Sequence, residues 1–186
     1  MICNIPPEIL EYIEQVENET YRACKEQHAL VAMVRRIFET EDIYVDTERM
    51  QRYFRLAQYF PYARLFPWQT FALGLWLCTY RADGLPRFKT LFAMVGRGAG
   101  KDGVIAMASA ALISPYNPVR HYNVDICANN EEQAVTPVKD IVEALENPKY
   151  EAKLSKHFYH TKEILRGRKN LGEVKGRTNN PKGRDG

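Results

Sequence analysis

The chain has 186 residues, with 26 Lys plus Arg against 23 Asp plus Glu, a formal net charge of +3, 45% hydrophobic and 26% charged residues. This is globular composition, which excludes intrinsic disorder and collagen-like repeats. No apolar run reaches the roughly 18 residues of a membrane span, and the N-terminus lacks a basic segment followed by an apolar one, so a soluble intracellular protein is expected.

Charge divides the chain. Residues 1–50 hold 5 basic and 11 acidic side chains, a net of −6, so residues 51–186 carry a net of +9. A basic second part suits a polyanion such as nucleic acid or nucleotide phosphate, because neutralising phosphates releases condensed counterions; a solvated lysine-rich surface gives the same numbers. Cys3, Cys24, Cys78 and Cys127 follow no zinc or redox spacing and read as free thiols. His157 and His160, at i and i+3, would share one face of a helix and form a candidate metal pair, but no further ligands stand at matching spacing.

In chain order, Pro6 and Pro7 precede a periodic apolar stretch (Ile9, Leu10, Ile13, Val16, Tyr21, Cys24) with acidic residues in its first turns, as the helix dipole favours. The pattern continues to Phe38, breaks near Glu39–Asp42 and resumes as a helix over about 46–60. An N-terminal helical region, residues 1–60, is therefore expected, its apolar faces buried in its own domain or docked on a partner. A further apolar helix is expected over 68–80, closed by Asp83, Gly84 and Pro86. The period then changes: residues 88–95, FKTLFAMV, read as a strand buried on both faces of a parallel sheet. After it come GRGAGKD and a helix-compatible VIAMASAALI. HYNVDICANN repeats the order with a strand ending near Ala128, followed by a helix over 131–146 in which Pro137 requires a kink or a late start. This β-α-β-α alternation predicts an α/β fold with a mostly parallel sheet between helices, spanning 61–165. Residues 166–186, with seven basic and two acidic side chains and five glycines, show no sustained apolar pattern. They read as a basic tail or as a loop in which a longer protein has been cut.

The sharpest motif is Gly96, Arg97, Gly98, Ala99, Gly100, Lys101, placed at the expected strand end and opening a helix. Small residues let successive N–H groups form an anion nest, the helix N-terminus adds its positive end, and the lysine reaches the β and γ phosphates. Against G-x-x-x-x-G-K-[ST], Val95 stands at the first glycine and Asp102 at the magnesium-binding hydroxyl. A carboxylate can serve magnesium directly or through water, so Asp102 is the candidate metal residue, and steep magnesium dependence is expected. A glycine-rich turn capping a helix beside an incidental lysine is the bland alternative.

Leu65-Phe66-Pro67-Trp68-Gln69, then Arg87-Phe88, then GRGAGKD, then Ala128 with Gln133-Ala134 together resemble the N-terminal ATPase region of tailed-bacteriophage terminase large subunits, the motors of viral DNA packaging. The resemblance implies a P-loop αβα sandwich preceded by helices, with ATP and Mg2+ as cofactors. It also implies double-stranded DNA, a portal protein and a small terminase subunit as partners, assembly as a homo-oligomer on the portal, and a place in the cytoplasm of the infected host. It assigns Gly96, Arg97, Gly98, Ala99, Gly100, Lys101 and Asp102 to the nucleotide, with Arg97 and Lys101 catalytic and Arg97 stabilising the γ phosphate. A salt bridge to a sheet-edge carboxylate is the other reading of Arg97. Pro67, Trp68 and Gln69 are similar to an adenine-reading element, since a glutamine amide both donates to and accepts from the base edge; a surface helix glutamine is the other reading. A strand ending in Asp-Glu, needed to hold magnesium and orient water, is not found after Lys101, and Asp125 lies inside its strand. The expectation is an ATPase whose remaining catalytic residues and nuclease domain lie downstream, this stretch alone hydrolysing ATP poorly. A helicase-like or repair translocase, and a non-hydrolysing adaptor with a degenerate loop, are the rival readings.

Overall fold

A computed structural model describes residues 5–20, 22–60, 64–96, 98–161 and 164–178. The chain is mixed α/β, with seven α-helices, a two-stranded and a four-stranded sheet among the described residues. It divides into two compact units, Met1–Phe54 with Leu65–Met94, and Arg55–Arg64 with Val95–Gly186. No helix among the described residues is long and apolar enough to cross a membrane.

The first unit contains α1 (Pro7–Glu17), α2 (Lys25–Thr40), β1 (Ile43–Val45), α3 (Thr47–Phe54), α4 (Pro67–Cys78) and β2 (Thr79–Arg81). The N-terminal periodicity is thus two helices rather than one. They part at Asn18–Cys24, where Glu19 takes a left-handed φ of 50°. Ile9, Ile13 and Val16 of α1 are fully buried. α4 crosses α1 and α3 closely at Gly74, where a Cβ would lie 3.0 Å from Ile9 Cγ1 and 3.1 Å from Met50 Sδ. Tyr12 and Phe71 rings meet at 4.8 Å. α4 ends at Cys78, earlier than its apolar run, because Thr79–Arg81 leaves to pair antiparallel with β1. Asp83 and Gly84, the latter at φ 79°, then form the expected turn.

The second unit contains a 3₁₀ turn (Arg55–Tyr59), α5 (Lys101–Ile113), β3 (Val124–Ala128), α6 (Glu131–Glu146), the single turn α7 (Glu151–Leu154), β4 (Phe158–His160), β5 (Leu165–Gly167) and β6 (Glu173–Thr178). α6 spans the helix expected from the sequence. Asn130 Oδ1 accepts from the Gln133 N–H at 2.9 Å, and Glu131 and Glu132 occupy the positive end. The helix runs through Pro137 from the first turn, so there is no late start. The sheet order is β3-β6-β5-β4, with β3–β6 parallel and the other two pairings antiparallel. The expectation of a mostly parallel sheet is therefore corrected. β6 also lies within the basic stretch that showed no pattern. It is seated by its neighbours: a Cβ on Gly176 would lie 2.8 Å from Val135 Cγ1 and 2.9 Å from the Ala134 carbonyl oxygen, so only glycine lets α6 approach there.

The largest departure is at 88–95. These residues form no strand, and Phe92 and Met94 are 87% and 89% exposed. A run apolar on both faces persists as a strand only when ladders on its edges and layers on its faces cover it. No strand among the described residues pairs with this one. The glycine loop accordingly does not stand at the mouth of a buried strand.

Candidate functional site

The loop is built by its glycines. Gly98 and Gly100 adopt left-handed φ values of 81° and 77°, a conformation that a side chain disfavours, and Ala99 N–H bonds the Gly96 carbonyl at 3.3 Å. A Cβ on Gly96 or Gly98 would meet no atom within 4 Å, so open space lies over this backbone. Gly100 is the N-cap of α5 and offers no side-chain cap. The N–H groups of Lys101, Asp102 and Gly103 stand in the first turn, where a helix cannot satisfy them internally. Left-handed residues alternating with others are the backbone from which anion nests are made. Arg97 lies outside the described residues.

Lys101 and Asp102 open the helix as an ion pair: Lys101 Nζ lies 2.9 Å and 3.1 Å from the two carboxylate oxygens of Asp102. Both side chains face solvent, 63% and 48% exposed, so each is accessible to a ligand and its partner alike. Among the described residues no group of three or more His, Cys, Asp or Glu is placed to hold a metal ion. Asp102, the acidic residue in the first turn of α5, is the side chain here that could serve a magnesium ion, which prefers hard oxygen ligands.

Pro67, Trp68 and Gln69 lie in the first turn of α4, in the other unit. Pro67 occupies N1, where its missing N–H costs nothing. Gln69 is not a surface glutamine. It is 5% exposed, and its Oε1 accepts from the Phe66 backbone N–H at 2.9 Å, capping the helix start. A glutamine at N3 is the sequence signal for this role. Its side-chain oxygen is thus engaged by backbone.

The second unit also has a groove of about 890 Å³ between α6 and the sheet, with Val135, Val138, Val142 and Ile164 in its walls and none of the loop residues lining it. Its rim polar groups are mostly paired: Lys175 with Glu173, Arg177 with Asp125 at 2.6 Å, and His160 with Glu146 at 3.4 Å. Asp125 is inside β3, as expected from the sequence. His160 lies in β4 and His157 just before it, so the two do not share a helical face. Cys24, Cys78 and Cys127 are free thiols.

No family model, curated protein or solved structure matches this chain. The reading of the site therefore rests on the geometry above.

Proposed function

We propose that this chain is the ATP-binding part of a viral DNA-packaging motor of the terminase large-subunit kind, in which ATP hydrolysis drives double-stranded DNA into a capsid. The observation that carries the reading is the Gly96–Lys101 loop. Two left-handed glycines, open space above them and an uncapped helix start with a lysine at its first residue suit a polyphosphate better than they suit any internal packing role. The mixed α/β character of the second unit, with its parallel β3–β6 pair and α6 packed against it, supports the reading at the level of fold class. In this reading Lys101 and the loop amides hold phosphate, Arg97 stabilises developing charge, and Asp102 assists magnesium. DNA would be gripped through its phosphates without sequence readout.

The Lys101–Asp102 pair and the uncovered 88–95 segment favour a second reading, an adaptor whose loop binds without turnover. Calorimetric titration with ATP and excess magnesium separates loop from accident. Wild type should bind, and Lys101→Ala should lose at least about tenfold in affinity, the worth of a charge-assisted phosphate contact. Undiminished affinity in the alanine variant would overturn the nucleotide site, and ATP binding without hydrolysis would favour the adaptor.

A further inference from the structure

We propose that the exposed face of the four-stranded sheet binds a single strand of nucleic acid, with Arg166, Arg168, Lys175 and Arg177 on its phosphates and Tyr159 against a base. The inference goes beyond the nucleotide loop and the duplex of the motor reading, and depends on neither. Successive side chains of a strand alternate between faces, so the register fixes which residues share one. Tyr159 stands opposite Arg166, Arg166 opposite Glu173, Lys175 opposite Asp125 and Arg177 opposite Cys127. Phe158, Leu165, Val174 and Ile126 alternate with them and are buried, on the face that α6 covers at Gly176. Arg168, two residues beyond Arg166, continues the ladder, its N–H donating to the His157 carbonyl at 2.8 Å. Its guanidinium lies 4.9 Å from the centroid of the Tyr159 ring.

The composition of this face points to the partner. It carries no large aliphatic side chain, so it does not await another apolar layer. Four cations meet two carboxylates, and residues 151–178 hold eight Lys or Arg against three Asp or Glu, a net of +5 in a chain whose total is +3. Three of the four cations are arginine, whose planar, weakly hydrated fork matches phosphate and stacks on rings; solubility alone would be served as well by lysine. Arg166 and Arg177 are 45% and 52% exposed. Glu173 pairs with both Arg166 and Lys175, and Asp125 with Arg177 at 2.6 Å, so the carboxylates hold the cations over the sheet and still leave a positive excess. Tyr159 and Arg168 add a flat platform, and bases stack on aromatic rings and guanidinium planes whatever their sequence. A duplex keeps its bases inside, whereas a single strand can splay one onto this platform.

The experiment is fluorescence anisotropy of a labelled oligothymidylate of about 12 nucleotides, titrated with the full chain over a series of salt concentrations, with circular dichroism to confirm folding. Wild type should bind with a slope of log affinity against log salt of about −3, roughly 0.7 for each of the four phosphate contacts. Arg166→Ala combined with Arg177→Ala should bind about tenfold more weakly and bring the slope to about −1.4. Tyr159→Leu should lose about tenfold through stacking and leave the slope unchanged. Asp125→Asn releases Arg177 and removes a negative charge, so it should bind about threefold more tightly, a gain that damage to the fold does not mimic. Lys25→Ala, a loss of positive charge in the other unit, should bind as wild type does. Absence of binding by folded wild type, or wild-type affinity and slope in the double variant, would overturn the surface. A duplex of the same length bound as tightly, with no effect of Tyr159→Leu, would overturn the single-strand assignment. None of these outcomes bears on ATP binding at Lys101, which the calorimetric titration reads separately.

Discussion

Asn170 and Leu112, 58 residues apart, are joined by a hydrogen bond from Asn170 Nδ2 to the Leu112 carbonyl at 3.0 Å, and the same amide reaches the Ser114 carbonyl at 3.2 Å. These are acceptors at the C-terminal end of α5 that the helix itself does not satisfy; Asn170 reaches them from the β5–β6 turn, beside Asn117, whose Nδ2 and N–H donate to the same two carbonyls at 2.6 and 3.2 Å. Its Oδ1 accepts in return from the Gly172 N–H at 2.9 Å, and its own carbonyl accepts from His121 N–H. One residue at 3% exposure therefore ties the end of the helix that begins at the glycine loop to the sheet. Asn170→Ala removes these bonds and leaves the buried Gly172 N–H without its acceptor, and should cost about 2 kcal/mol, read as a lower urea midpoint at unchanged slope. An unchanged midpoint would show that α5 is fixed by other means.

Gly167 makes the same junction tighter. A Cβ there would fall 2.0 Å from the Ile113 carbonyl oxygen and 2.6 Å from Asn170 Oδ1, and the first of these is backbone that cannot step aside. Gly167→Ala should lower stability by about 3 kcal/mol, the upper end of overpacking costs. Gly96→Ala is the matched control, because its Cβ would meet nothing within 4 Å and its thermal midpoint should hardly move. Equal midpoints for the two variants would contradict the packing described for α5.

These junctions explain what could be read from the residues alone. α6 was legible because local signals agree: the Asn130 cap, two acids in the first turn, and buried Ala134, Ile141, Ala144 and Leu145 at helical spacing. β3 was legible as a short apolar run between turn signals. β1 and β2 were not, being three residues each and defined only by pairing with one another. β6 escaped because its sequence, EVKGRT, carries little apolar signal; its place is set by Val174 opposite Val124 and by Gly176 beneath α6. The 88–95 run failed in the other direction. Its residues suit a strand, but strand formation needs neighbours that its own sequence does not contain. At the candidate site the loop glycines were legible through their conformational demand. The cap role of Gln69 was available from its N3 position, while the Lys101–Asp102 pair needed coordinates.

Cysteine reactivity gives an independent check on burial. Burial pushes the Cys78 thiol up to about 12, with the nearby Arg49 pulling the other way, and its sulfur is inaccessible. Cys24 and Cys127 are exposed. Since the thiolate is the nucleophile, a short iodoacetamide pulse at pH 8 should label Cys24 and Cys127 and spare Cys78 until urea is added. Mass spectrometry of the peptides reads this directly, and early labelling of Cys78 would mean that α4 opens in the native protein.

The final prediction concerns acid. Arg87 donates to both carboxylate oxygens of Glu41, at 2.5 and 2.7 Å, bridging the end of α2 to the segment after β2. This hydrogen bonding holds the Glu41 carboxyl below its usual value near 4.5; Arg35 does the same for Glu17, and Lys175 with Arg166 for Glu173. A carboxyl whose pKa is lower folded than unfolded stabilises the protein above the unfolded value, and that contribution disappears as pH falls through the folded value. Stability should therefore be steady from pH 7 to about 5 and decline below about 4.5. The Glu41 part is small, under about 1 kcal/mol, because the pair is partly solvent-exposed and screened. Glu41→Gln isolates it: the variant should melt below wild type at pH 7, and the gap should narrow as pH falls below about 4.5 and through the lowered value of the folded carboxyl. A gap that stays constant across this range would mean that the Glu41 charge contributes nothing and that shape alone accounts for the loss.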